Sequence, residues 1–145
     1  MKRVEESVEI RCPVDKVFTY TAEAKRWHEW QSIIKEAEQT SQEPLRVGTT
    51  FEGIARMMGR SMSWTAEATE YEKNRNWAKK IDSGGLSIVE HVTYDPIDRG
   101  TKFTIMYDIK VGGLLKLFSS MVVRTMRKET EKSLRDLKRI LEAQA

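Results

Sequence analysis

Between Arg3 and Cys12 polar and apolar residues alternate. Val4, Val8, Ile10 and Cys12 share one parity with Glu6, while Arg3, Glu5, Ser7, Glu9 and Arg11 hold the other. This period of two predicts a strand with one wet face. Pro13 stops it, and Pro13-Val14-Asp15-Lys16-Val17-Phe18 opens a helix at the position where proline is tolerated. Val14, Val17, Phe18 and Thr21 form that helix's inner stripe. A second short helix is predicted from about Ala24 to Trp30 and another strand from Ile33 to Thr40, while Ser41 to Gly48, which contains Pro44, reads as a loop.

Alternation then resumes through Phe51, Gly53, Ala55 and Met57, and again through Met62, Trp64, Ala66 and Ala68, with a turn near Gly59-Arg60. Three further segments follow: Trp77 and Ile81; Leu86, Ile88, Val92 and Tyr94; and Phe103, Ile105, Tyr107, Ile109 and Val111. Asn74-Arg75-Asn76, Ser83-Gly84-Gly85 and Asp95 to Gly100 carry the turn chemistry between them. Loops this short predict an antiparallel meander, because a parallel crossover needs about a dozen residues or more. From Leu114 to about Glu142 the spacing becomes helical, with good helix formers and no Gly or Pro. Such a helix is roughly 40 Å long and crosses the whole sheet.

The chain has 145 residues, 39% hydrophobic and 32% charged, which suits one domain over 1–145. Cys12 is alone, so no internal disulfide forms, and a reducing compartment is expected. The N-terminal string turns acidic at Glu5-Glu6, and no apolar run has a membrane span's length, so the expected location is cytoplasmic, without stable membrane insertion. A net charge of +3 is too mild to imply a nucleic-acid partner. From Leu114 to Ala145, however, eight basic residues face four acids. The plain reading is the solvated face of an amphipathic helix; attraction to an anionic membrane or a nucleic acid is the alternative.

Four strings carry a resemblance: Cys12-Pro13-Val14-Asp15-Lys16-Val17-Phe18, Trp27-His28-Glu29-Trp30, Val47-Gly48-Thr49 and Gly100-Thr101-Lys102-Phe103-Thr104. In this order and spacing the chain resembles the START and Bet v 1-like helix-grip superfamily, and within it the SRPBCC, polyketide cyclase/dehydrase-like proteins. The resemblance covers essentially the whole chain, but none of the strings is a catalytic signature. It implies an α+β fold of order β-α-α-β6-α, in which a seven-stranded curved antiparallel sheet grips a long C-terminal helix. It also implies a cavity that in relatives holds lipids, sterols, polyketides or other apolar molecules. Because members include cyclases, carriers and other binders, the fold does not fix the function.

The residues themselves argue for a hollow interior. Gly53, Ala55, Ala66 and Ala68 lie on the inward parity and supply little volume opposite a helix that touches only part of the sheet. The competing reading is that aromatics and methionines fill the space. Between Leu114 and Met126, eight of 13 residues are apolar, which requires burial on two sides, against the short helices, a homodimer partner, a membrane or the cavity mouth. The expected ligand-binding wall is Trp30, Phe51, Ala55, Trp64, Trp77, Lys79, Glu90, Val92, Phe103, Ile105, Tyr107, Phe118, Met121 and Val122.

A two-residue Gly84-Gly85 turn would set Ile81 opposite Ile88, Lys79 opposite Glu90 and Trp77 opposite Val92. Lys79 and Glu90 then form an ion pair at the cavity wall, unless they bridge at the sheet rim. With one Cys and two separated histidines, His28 and His91, no metal or cofactor is expected, and no nucleophilic triad is visible. The leading expectation is binding of a small hydrophobic, lipid-, polyketide- or sterol-like molecule for transport, storage or sensing. The rival is a cyclase or dehydratase in which Glu90, Tyr107 or His28 moves a proton. A protein-interaction module is the third.

Overall fold

The computed structural model describes residues 2–42 and 44–144; Met1, Glu43 in the predicted loop, and Ala145 lie outside the described residues. The alternating N-terminal segment forms β1 (Lys2–Ile10). Pro13 takes the N-cap of α1 (Val14–Ala22), with φ −60° and ψ 149°. A 3-10 turn (Ala24–Arg26) leads into the four-residue α2 (Trp27–Trp30), so the predicted second helix is divided. Next come β2 (Ile34–Gln39), β3 (Thr50–Met57), β4 (Arg60–Glu72), β5 (Asn76–Ser83), β6 (Leu86–Ile97) and β7 (Gly100–Val111). A second 3-10 segment (Gly113–Phe118) precedes α3 (Ser119–Gln144).

All seven strands form one antiparallel sheet in the order β1-β7-β6-β5-β4-β3-β2. The first strand therefore closes on the last, from Lys2 opposite Ile109 to Ile10 opposite Thr101. Each of the four hairpins from β3 to β7 turns on positive φ, two of them on a single residue, Asn74 (64°) or Arg99 (110°), and two on a consecutive pair: Met58 (53°) and Gly59 (78°) between β3 and β4, and Gly84 (34°) and Gly85 (90°) between β5 and β6. The β5–β6 turn sets the register that the Gly-Gly pair predicts. β6 continues through Pro96 to Ile97, further than the turn signals suggest, since proline is tolerated at a strand end.

Two of the motif strings have a structural reason. A Cβ at Gly100 would strike the Ile10 carbonyl, and Thr101 Oγ1 donates to Cys12 O at 2.8 Å, so Gly100-Thr101 fastens the β6–β7 turn to the end of β1. Gly48, at φ 93°, donates its N–H to Ala68 O (2.8 Å), while the buried Thr49 Oγ1 accepts from Arg46 N (2.9 Å) and sets the entry to β3.

The helix α3 buries one stripe, Val122, Val123, Met126, Thr130, Ser133, Leu134, Leu137 and Leu141. Each fully buried leucine contributes roughly 1.5–3 kcal/mol. Its C-terminal half is fastened to β1: Lys138 Nζ donates to Glu9 O (2.6 Å), and Glu142 Oε2 accepts from Arg11 N (2.9 Å) and Lys138 Nζ (2.8 Å). Its N-terminal approach differs from the expectation of burial on two sides. Leu114, Leu117, Phe118 and Met121 are exposed, because the chain leaves the sheet as a 3-10 turn after Gly113 (φ 61°) and becomes α-helical only at Ser119.

Candidate functional site

Half of the interior is solid. α1 and α2 lay Phe18, Trp27 and Trp30 against Phe51, Trp77, Tyr94 and Phe103, with ring centroids 5.1 Å (Phe18–Tyr94), 5.2 Å (Trp27–Phe51), 5.3 Å (Tyr94–Phe103) and 6.0 Å (Trp30–Phe103) apart. Trp30 Nε1 is buried without a hydrogen-bond partner among the described residues, whereas the polar groups of Tyr94 and Trp27 are satisfied locally. Tyr94 Oη shares a hydrogen bond with Thr21 Oγ1 (2.7 Å), and Trp27 Nε1 donates to Thr21 O (2.8 Å).

The other half encloses a cavity between α3 and the strands β3 to β7. A water molecule's centre can range over about 100 Å³ of it. Trp27, Ile34, Ala55, Met57, Met62, Trp64, Ile81, Leu86, Ile88 and Met126 give it a mostly apolar wall. Its small volume has an identifiable cause. Gly53, which the alternation marks as empty space, is covered: a Cβ there would sit 2.6 Å from Trp64 Cζ2 and would collide with the Glu36 carbonyl of the adjacent strand. Ala66 and Ala68 are buried but do not line the cavity.

Lys79, Glu90 and Tyr107 occupy one row across three neighbouring strands, Lys79 opposite Glu90 and Glu90 opposite Tyr107. All three line the cavity. The Lys79 ammonium lies 3.1 Å from Glu90 Oε2, 3.8 Å from the Trp27 ring centroid and 4.7 Å from that of Trp77. Lys79 is 4% exposed and Glu90 7%, so the pair is buried and does not bridge at the rim. Burial lowers the proton affinity of Lys79, and the Glu90 carboxylate opposes that shift. The rings above the ammonium also favour its charged form. Burial, together with the facing Glu90 carboxylate, pushes the Tyr107 phenol well above its usual value, so it remains a hydrogen-bond donor.

A second polar group lines the α3 side. Glu129 Oε2 accepts from Ser32 Oγ (2.6 Å), tying the segment between α2 and β2 to the helix, with Gln31, Thr130 and Ser133 nearby on the wall. Trp64 Nε1 is buried without a hydrogen-bond partner among the described residues. The arrangement can present a cation, a carboxylate and a phenol at one end of an apolar chamber, with further acceptors on the helix side.

Of the expected wall, Ala55, Trp64, Lys79, Glu90 and Tyr107 lie on the cavity. Trp30, Phe51, Trp77, Val92, Phe103 and Ile105 are buried outside it, mostly because α1 and α2 fill that half. Val122 and Phe118 line an outer groove instead, and Met121 faces solvent. His28 is exposed on α2 and cannot act inside. Sequence reasoning missed Trp27 as a wall residue and missed Glu129, Thr130 and Ser133. Their positions on a helix face alone carry the signal, and that face is fixed by docking. No three His, Cys, Asp or Glu side chains come together as a metal site among the described residues.

A family profile described as polyketide cyclase / dehydrase and lipid transport matches residues 1–142. No curated protein sequence matches the chain. Among solved structures, TTHA0849 from Thermus thermophilus superposes with a TM-score of 0.84 at 17% identity, covering 99% of both chains. The Zhui aromatase/cyclase of a Streptomyces species gives 0.84 at 13% identity, covering 97% of this chain and 93% of its own. Ara h 8.0201 gives 0.74 at 14% identity, covering 98% of each. At such identities the likeness is one of fold, and it is the helix-grip fold.

Proposed function

The chain belongs to the polyketide cyclase / dehydrase and lipid transport family, and from that premise we propose that it binds a small, mostly apolar molecule in the cavity beneath α3. The observation that carries this reading is the buried Lys79–Glu90 pair on an otherwise apolar wall. Two charges taken out of water are costly, and a hydrophobic pair of similar volume serves stability at least as well. Their role is to orient a ligand: Lys79 and Tyr107 donate to a carbonyl or hydroxyl, and Glu90 accepts. The ligand's affinity comes from apolar surface buried against Met57, Met62, Ile81 and Ile88, at roughly 25 cal/mol per Å². The methionines on the wall adapt to ligands of varied shape.

Native mass spectrometry of the purified protein, followed by thermal unfolding with a panel of hydrophobic ligands, tests this. A ligand at about a hundred times its Kd stabilises by about 2.7 kcal/mol, a rise of roughly 5–10 °C for a chain of this length. A Lys79→Met/Glu90→Leu double variant stays folded and loses that rise for ligands with a polar end. No retained molecule and no shift across the panel would refute the reading.

One observation favours a second reading, in which the bound molecule also reacts. Tyr107 and Lys79 flank Glu90, which places proton donors beside an acceptor at the same end of the chamber. Cyclisation or dehydration of a poly-β-ketone would then use Glu90 as base and Tyr107 as donor. Turnover abolished in Glu90→Gln while binding persists supports it.

A further inference from the structure

Next to the cavity lies an outer groove of about 490 Å³, which shares Met57, Met62 and Leu86 with the cavity wall. Its rim is apolar and open to solvent. Leu114 is 86% exposed and Leu117 81%, and Phe118 and Met121 are about half exposed. Across the groove, Met58 stands out at the tip of the β3–β4 turn with φ 53°, where asparagine or glycine is the usual residue. Five large apolar side chains are thus exposed on the 3-10 segment, the start of α3 and the β3–β4 turn, and three of them, Met58, Leu114 and Phe118, line the groove beside the cavity.

The stretches of sequence that carry these side chains hold charge of one sign. Between Asp108 and Glu129 the sequence holds Lys110, Lys116, Arg124, Arg127 and Lys128 and no acid; between Glu52 and Glu67 it holds Arg56 and Arg60 and no acid. Lys116, Arg124 and Arg60 are exposed beside the apolar rim. One exposed acid, Asp82 on β5, stands two residues before Gly84 of the groove wall. Exposed leucine and phenylalanine ringed by Lys and Arg is the composition of a surface that rests in a lipid headgroup layer. A second copy of this chain would bring the same cations face to face, which a two-fold interface penalises.

We infer that this end of the protein docks reversibly on an anionic bilayer, with the 3-10 segment and the β3–β4 turn at the headgroups and the cavity opening toward the lipid. No described helix is long and apolar enough to cross a membrane, and docking of this kind needs none.

Co-sedimentation with vesicles tests it, comparing phosphatidylcholine containing about a third phosphatidylserine with phosphatidylcholine alone. The chain is expected to bind the anionic vesicles at least about tenfold more tightly, a preference that salt near 1 M removes. Leu114→Asp/Leu117→Asp abolishes binding with an unchanged unfolding midpoint, since both side chains already stand in water. The inference is overturned if the protein stays in the supernatant with both vesicles, or if the double variant pellets like the parent. A dimer in sedimentation equilibrium that the double variant dissolves also overturns it, because the patch is then a self-interface. Vesicle binding by protein that retains no small molecule supports docking and counts only against the cavity reading.

Discussion

Lys79 has its ammonium enclosed by a carboxylate and two indole rings, on a wall it shares with Ile81, Leu86 and Ile88. Removing one partner leaves the other charge buried and alone. Glu90→Leu and Lys79→Met are each expected to lower unfolding free energy by about 3–5 kcal/mol, whereas the double variant comes back close to the parent or exceeds it. Urea denaturation of the four proteins measures this, and additive losses would show that the pair is not coupled. Gly53→Ala tests the crowding at β3: with the Glu36 carbonyl and the Trp64 ring against the missing Cβ, a loss of about 1–3 kcal/mol is expected from the same measurement. The ion pair was legible because a Gly-Gly turn fixes register and register fixes face. The occupancy of Gly53 was not legible, since alternation reports which way a residue points and says nothing of what leans over it. Trp27 was missed for a related reason: its ring reaches Lys79 only because α2 docks on the sheet.

Among the elements, β1 and α3 meet along their length, and one carboxyl there is held against its preference. Glu6, on the inward parity of β1, faces Glu131 and Arg127 from α3; partial burial and Glu131 push its pKa above 4.5, with Arg127 opposing. A carboxyl raised in the folded state favours folding while protonated, and that contribution is lost as pH climbs through the raised value. Glu6→Gln should therefore raise the thermal midpoint at about pH 7 and leave it unchanged at about pH 3. A variant that matches the parent at both pH values would show that neither burial nor Glu131 disfavours the charged form of Glu6. The strands and α3 itself were legible from their periods. The 3-10 segment was not: Leu114 to Phe118 carries the apolar content of a buried helix, but Gly112-Gly113 releases it from the sheet before α3 begins.

For the molecule as a whole, the alternation, the short turns and the long last helix made the architecture readable, and the place of the hollow was the harder part. It depends on which half of the sheet α1 and α2 fill, and that is decided by the aromatic cluster around Trp27 and Phe51, whose members are far apart in sequence. The same separation governs the pairing of β1 with β7. On the ribosome β1 emerges before β7, with the five other described strands made in between. Until β7 has been made, the backbone groups of β1 lack their partners, and an unpaired strand edge of this kind is open to pairing with other chains.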